Sequence, residues 1–335
     1  MRRILRDEGL LGSVEMKLSE IGEFGLIDRL AKIIGKPSSK VIIGVGDDAA
    51  VLEIPGSRLK IQNRSKNQNH KYLLITTDTL IENIHFKLPQ KNGRNREFIL
   101  RRDPFFLLGK KALAVNISDI AAMGGVPTFA VVTIGAPSGF SVERIVGLYK
   151  GIKAEAVRHQ VSIVGGDTVR SPRELIISIT LLGEVEKDNL LTRSGAKAGD
   201  MICVTGKFGG PASHKFDIRY SLPKGRLKEA QTIARSRLAH SLIDSSDGLV
   251  RSVIELCKAS KVGARIWEEK VPVASGATLA QALYGGEEYE LVFTVPKAKL
   301  SRLNKVKFSI VGEIVPRSEK SSPATGGYEH FKVIK

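Results

Sequence analysis

Residues 113–125, LAVNISDIAAMGG, form an apolar, small-residue run with three polar side chains set into it, Asn116, Ser118 and Asp119. Upstream, Asp103-Pro104 is a helix start, an N-cap acid followed by proline in the first turn; downstream, Gly124-Gly125-Val126-Pro127 is a stop. The helix between them is the element around which the rest of the chain must be arranged. It places Asn116 and Asp119 on one face, three residues apart. A carboxylate in so apolar a helix is expensive unless it is hydrogen-bonded, paired or metal-bound. The stretch alone leaves backbone hydrogen bonding and metal binding both open. What separates them is recurrence, because at least five other Asp residues sit in similar settings.

The chain has 335 residues, too many for one ordinary core, and is expected to form two domains. Apolar spacing predicts a helix over 23–34 and strands over 41–45, 49–54, 72–76, 129–134, 161–164 and 175–185. Ser141 is expected to cap a helix that buries Val142, Ile145, Val146, Tyr149 and Ile152. The polar, turn-rich stretch 186–200 reads as a boundary. A second set follows it: a strand over 201–205, helices over 227–240 and 249–260, and strands near Ala264, Leu291 and Phe308. The expected class is therefore α+β (mixed α/β), with an extension over 1–15 and domains over 16–188 and 189–335. Met16 opens a tidier start than Met1, and the N-terminus has no uninterrupted apolar segment of a signal peptide.

No apolar run approaches the roughly 18 residues of a membrane span, so no membrane is expected as a partner. Cys203 and Cys257 lie in apolar contexts without zinc-ligand spacing; they read as core residues of a protein in a reducing cytoplasm. The net charge of +17 is concentrated in the stretches 58–71 and 87–102. Neither stretch interleaves aromatic residues as single-strand binders do, so they read as solvated loops that attract phosphates rather than as a nucleic-acid site.

Six acidic segments carry the chemistry: Gly46-Asp47-Asp48, Thr76-Thr77-Asp78-Thr79, Ser118-Asp119, Gly165-Gly166-Asp167-Thr168, Asp244-Ser245-Ser246-Asp247-Gly248 and Gly285-Gly286-Glu287-Glu288. Each alone is ordinary turn punctuation. If they converge, each carboxylate pair about 4 Å apart repels by about 4 kcal/mol at an effective dielectric of 20. Several such pairs would exceed the stability of a domain, so convergence requires cations, and hard oxygen ligands select Mg²⁺. Several Mg²⁺ ions in a basic protein point to a nucleoside triphosphate. The usual nucleotide loops are absent: there is no GxxxxGK[ST], and Gly44-Val45-Gly46 precedes a strand rather than a helix.

In chain order, GVGDDAAVL (44–52), TTDTLIENIHF (76–86), KALAVNISDIAAMGGVP (111–127), GGDT (165–168), TRSGAKAGD (192–200), DSSDGL (244–249), GGEEYELVFT (285–294) and GGYEHF (326–331) resemble the thiamine-monophosphate kinase family. That family is related to aminoimidazole ribonucleotide synthetase, selenophosphate synthetase and a hydrogenase-maturation carbamoyl dehydratase. The chain shows neither the early reactive Cys nor the terminal Cys of the latter two. The resemblance implies a two-domain synthetase-like architecture, a homodimer joined through strands of the N-terminal domain, and ATP-dependent phosphorylation of thiamine monophosphate by in-line transfer. It implies that Asp48, Thr76, Thr77, Asp78, Asp119, Asp167, Asp244 and Asp247 hold several Mg²⁺ ions, with Asp119 and Asp247 central to catalysis. Gly166, Asp167, Arg193 and Ser246 would contact ATP, the co-substrate. His85, Glu288 or its neighbour Glu287, and Tyr328 would contact thiamine monophosphate. Two positions depart from the pattern: Glu288 stands where the family has Asp, and Asn83 where it has Gly.

Overall fold

The computed structural model describes residues 17–54, 70–88, 103–214, 217–218 and 221–317. Tyr328, residues 1–15 and most of the two basic stretches lie outside them. The chain divides into two units. In the first, helix α1 (Leu18–Ile34) is interrupted at Gly22, whose φ of 67° is not helical, so its regular part covers the predicted 23–34. The second unit, Pro37–Tyr328, contains everything that follows.

Its first sheet has six strands: β1 (Val41–Ile43), β2 (Ala50–Glu53), β3 (Lys71–Ile81), β4 (Val126–Ala136), β5 (Ser162–Arg170) and β6 (Ile176–Glu186), in the order β1-β2-β3-β6-β4-β5. Only β4 and β5 run parallel. Two segments expected to be acidic turns prove to be strand. Thr76-Thr77-Asp78-Thr79 lies inside β3, because β6 pairs with that strand over its whole length and β-branched threonines suit a pleated surface. Gly165-Gly166-Asp167-Thr168 lies inside β5, where pairing with β4 overrides the turn preference of Gly-Gly-Asp.

Helix α2 (Pro104–Ala122) is the predicted central helix. The Asp103 side chain accepts from the Phe105 N–H at 3.0 Å, and Gly124 and Gly125 close the other end onto the carbonyls of Ala121 and Ile120. Fifteen of its 19 residues are buried, so it has no solvent face. Leu113, Ile117 and Ile120 pack with Leu74, Val132, Ile177 and Ile179 of the sheet, while Ala121 and Ala122 belong to the core of the following domain. Helix α3 (Val142–Arg158) is capped by Ser141 as expected, but its buried face differs from the predicted one. A Cβ on Gly109 or Gly151 would lie 1.9 Å from a carbonyl of the facing helix. This glycine contact turns Leu148, Gly151, Ile152 and Glu155 inward and leaves Val142 and Val146 exposed.

The second sheet has β7 (Asp200–Val204), β8 (Ser241–Asp244), β9 (Gly263–Ile266), β10 (Leu291–Pro296) and β11 (Ser309–Val315), in the antiparallel order β8-β10-β7-β11-β9. A single turn of helix, α4 (Gly210–Ser213), follows β7. Strand alternation sends Leu291, Phe293 and Val295 towards α5 (Leu227–Ser236). It sends Val292 towards α6 (Leu249–Ser260) and α7 (Leu279–Tyr284). Helix α5 stops four residues short of the predicted His240 because Arg237 turns left-handed, at φ 53°. Among the described residues no helix is long and apolar enough to cross a membrane.

Candidate functional site

The polar residues of α2 meet three other segments. Asp119, in the last turn of α2, faces the turn after β1 that carries Asp48, the inner face of β3 and the end of β8. One carboxylate oxygen from each of Asp48, Asp119 and Asp244 lies within 4.8 Å of the other two. Thr76 on β3 donates its hydroxyl to Asp119 Oδ2 at 2.5 Å, and Ser118 donates to Asp244 Oδ2 at 2.5 Å. Asp78 lies beside Asp119, whose carboxyl it pushes up by its charge, and its own backbone N–H donates to Asn116 Oδ1 at 3.1 Å. Asn116 and Asp119, paired on one helix face by sequence, thus both turn to β3.

Arg193 lies against these acids. Its guanidinium donates through Nε and Nη2 to Asp48 Oδ1 at 3.1 and 2.5 Å, and its backbone N–H points at both oxygens of Asp47. Asp48 Oδ2 is buried and accepts no hydrogen bond from the described residues. One guanidinium cannot neutralise this set. Burial, reinforced by Asp48, pushes the Asp47 carboxyl up to about 7. Burial pushes Asp78 up to about 6 and, with the charge of Asp48, Asp244 up to about 8. Asp119 rises well above the carboxylate range through burial and the charges of Asp78, Asp244 and Asp48. Asp48 is also raised by burial, against the pull of Arg193. Burial and mutual repulsion thus disfavour the charged forms of these groups, a cost that a bound cation would offset.

The other expected residues fall elsewhere. Successive side chains of β3 alternate, so Thr76 and Asp78 share the α2 face and Thr77 points to the opposite face, where its hydroxyl donates to the Ile179 carbonyl at 3.2 Å. The Thr77 side chain is therefore no part of the cluster. Gly166 lies in the same cross-strand row as Asp78, through Ile179 and Val132. Three strand spacings separate them, roughly 14 Å. Gly166 and Asp167 are exposed on the edge strand β5, and Asp167 accepts from the Thr168 N–H at 2.8 Å. A Cβ on Gly166 would lie 1.9 Å from the Val132 carbonyl, so strand pairing by itself requires glycine there. Ser246 and Asp247 form the partly buried turn between β8 and α6. The Ser246 carbonyl accepts from the Glu287 N–H at 2.6 Å.

On the opposite flank, His85 Nδ1 accepts from the Ile81 N–H at 2.9 Å, which assigns the ring proton to Nε2. Glu287 and Glu288, adjacent in sequence, part company in space. Glu287 takes a left-handed φ of 64° and pairs with Lys111 at 2.8 Å. Glu288 is buried, accepts from the Gly209 N–H at 2.9 Å, and is pushed by burial up to about 8. Burial, with Glu287, Asp78, Asp244 and Asp247 around it, also raises the Tyr289 phenol well above its usual value. Sequence reasoning passed over Lys111 and Tyr289, and gave Asp47 a place in an acidic segment but no role of its own. Lys111 had a signal, since it stands four residues from both Leu107 and Val115 on the buried side of α2. Both cysteines are free, and burial raises their thiols to about 12 for Cys203 and about 11 for Cys257.

Two cores, one shared helix and a carboxylate cluster where they meet define a two-domain protein of the AIR synthase class. The N-terminal domain of AIR synthase related proteins matches residues 46–185, and the C-terminal domain of the same proteins matches 215–322. The thiamine-monophosphate kinase of Pyrococcus horikoshii is 34% identical over 294 residues, covering 79% of this chain and 88% of that relative. That of Bacillus subtilis is 29% identical over 334 residues, covering 88% and 95%. A solved structure, AaThiL complexed with AMPPCP and TMP, superposes with a TM-score of 0.77 at 28% identity, covering 95% of this chain and 100% of that one. The chain belongs to the thiamine-monophosphate kinase family.

Proposed function

We propose that this protein transfers the γ-phosphate of ATP to thiamine monophosphate, giving thiamine diphosphate and ADP. The observation that carries the site assignment is the buried meeting of Asp48, Asp119 and Asp244 with one guanidinium beside them. Three carboxylate oxygens within 4.8 Å of one another are a donor set of the hard oxygen type that Mg²⁺ selects, and drawing together around the ion would close the site. The unpartnered Asp48 Oδ2 supports the same ion. Asp48, Thr76, Asp78, Asp119 and Asp244, with Asp247 at the rim, would hold several Mg²⁺ ions. When bound, such ions neutralise the triphosphate and the charge that develops during transfer.

The remaining work is positioning. Arg193, anchored by Asp48 and partly exposed, offers its planar fork to a phosphate oxygen. Ser246, Gly166 and Asp167 would contact ATP, with Asp167 also on a metal ion. His85, through Nε2–H, would donate to the acceptor phosphate, and Glu287 or Glu288 would face the cationic thiazolium ring. Tyr328, outside the described residues, would offer that ring an aromatic face. No covalent nucleophile is required, because holding acceptor and donor in line lowers the barrier by proximity and charge neutralisation.

The same reading keeps domains over 16–188 and 189–335, an extension over 1–15 and a cytoplasmic location. It includes a homodimer joined through the sheet face opposite α2, where Phe129, Val131, Val164 and Val169 stand exposed. The test is product formation from ATP, Mg²⁺ and thiamine monophosphate, with free thiamine in parallel. Thiamine diphosphate is expected from the monophosphate alone; turnover of another acceptor in its place would overturn the assignment.

A further inference from the structure

Lys111 is the largest fully buried side chain among the described residues, at 0% exposure, in the middle of α2. A buried ammonium persists only where its donors are satisfied. Lys111 Nζ has three donors and three partners: the His85 carbonyl at 3.3 Å, Ser221 Oγ at 3.1 Å and Glu287 Oε1 at 2.8 Å. These partners lie 26, 110 and 176 positions away, on the turn after β3, the segment before α5 and the loop before β10. The set is fully used, so no N–H remains for a substrate. The ion pair is also asymmetric: its ammonium end is sealed, whereas the Glu287 side chain is 34% exposed.

We propose that Lys111 is the positioning residue of the acceptor side, tying His85 and Glu287 to the central helix so that both meet the thiamine phosphate in fixed places. The inference rests on the acceptor reading of His85 and Glu287 given above. Glu287 is a side chain that needs such a tether. It follows Gly286 and precedes Glu288 in a segment without regular structure, and its φ of 64° is a conformation that a non-glycine residue keeps only when its surroundings impose it. Its N–H is fixed by the Ser246 carbonyl and its carboxylate by Lys111, so the backbone answers to the nucleotide side and the side chain to α2. One lysine thus links the carboxylate cluster, built on the same helix at Asp119, to the acceptor.

The experiment compares wild type, Lys111→Met, Glu287→Gln and the double variant, reading the KM for each substrate, kcat and the thermal midpoint. Lys111→Met should raise the KM for thiamine monophosphate roughly tenfold or more and leave the KM for ATP within about twofold. The double variant removes both charges of the pair. It should melt close to wild type and lose less acceptor affinity than the two single losses summed, because both changes act in part on Glu287, which keeps the test open if Lys111→Met folds poorly. Equal shifts in both KM values, or additive losses in the double variant, would overturn the inference and leave the kinase reading intact. So would a Lys111→Met acceptor defect alongside an unchanged Glu287→Gln, because Glu287 would then not be what Lys111 positions for the substrate. Failure of the wild type itself to phosphorylate thiamine monophosphate would overturn both.

Discussion

Glu155 on α3 and Asp244 at the end of β8 are buried alike, at 1% and 3% exposure, yet their carboxyl groups move in opposite directions. Burial works to raise both. For Glu155, His159 at 3.1 Å and Lys110 at 3.1 Å outweigh it and hold the carboxyl below its ordinary value. For Asp244 the neighbouring Asp48 adds to burial, the hydrogen bond from Ser118 and the charge of Arg193 do not outweigh them, and the group rises to about 8. The chain pairs acids outside the site with nearby cations: Lys110 with Glu155 and Arg226 with Glu290. It leaves the site acids to share Arg193. On the proposed reading, the contrast separates acids that hold the fold from acids that would take a cation from solution.

The largest expected break in that contrast is Asp119→Asn. It should lower kcat by about 4 kcal/mol of barrier, roughly a thousandfold, with the thermal midpoint retained. Activity near wild type would remove Asp119 from the metal site. Stability sharpens the comparison from the other side. Glu155→Gln removes the charge that pairs with Lys110 and His159 and should cost about 2 kcal/mol in denaturant melts, with or without Mg²⁺. Asp244→Asn keeps an oxygen for Ser118 and should leave metal-free stability unchanged or raised. Equal losses in the two variants would erase the distinction.

A third test uses pH. Asp47, Asp78 and Asp244 have folded values of about 7, 6 and 8, above the ordinary carboxylate value. The folded state therefore binds more protons than the unfolded one, and the stability they contribute is full below about pH 4 and lost as pH rises towards 8. Metal-free protein should melt lower at each step across that window, and saturating Mg²⁺ should flatten the slope; a flat metal-free profile would contradict the picture. The smallest effect is that of His85→Ala, a rise of about three- to tenfold in the KM for thiamine monophosphate without change for ATP, read from initial rates.

Much of this was legible in the chain. The bounds of α2 were written in Asp103-Pro104 and Gly124-Gly125, because caps and stops are local chemistry. Asp119 declared itself as a carboxylate in an apolar helix. Helix α6 occupies the predicted 249–260. The buried face of α3 was misread, because two glycines, poor in hydrophobicity, make the closest helix contact.

What the sequence by itself determined was the identity of the helix and of the acids that had to be neutralised, since both follow from the cost of burying charge. Tertiary structure decided which oxygen each acid offers and to whom. It turned Thr76 inward and Thr77 outward through the phase of one pleated strand. It divided Glu287 from Glu288 by one left-handed residue. It brought Lys111 to partners up to 176 positions away. Periodicity reports which residues share a face; what stands opposite that face is settled only when distant segments pack against it.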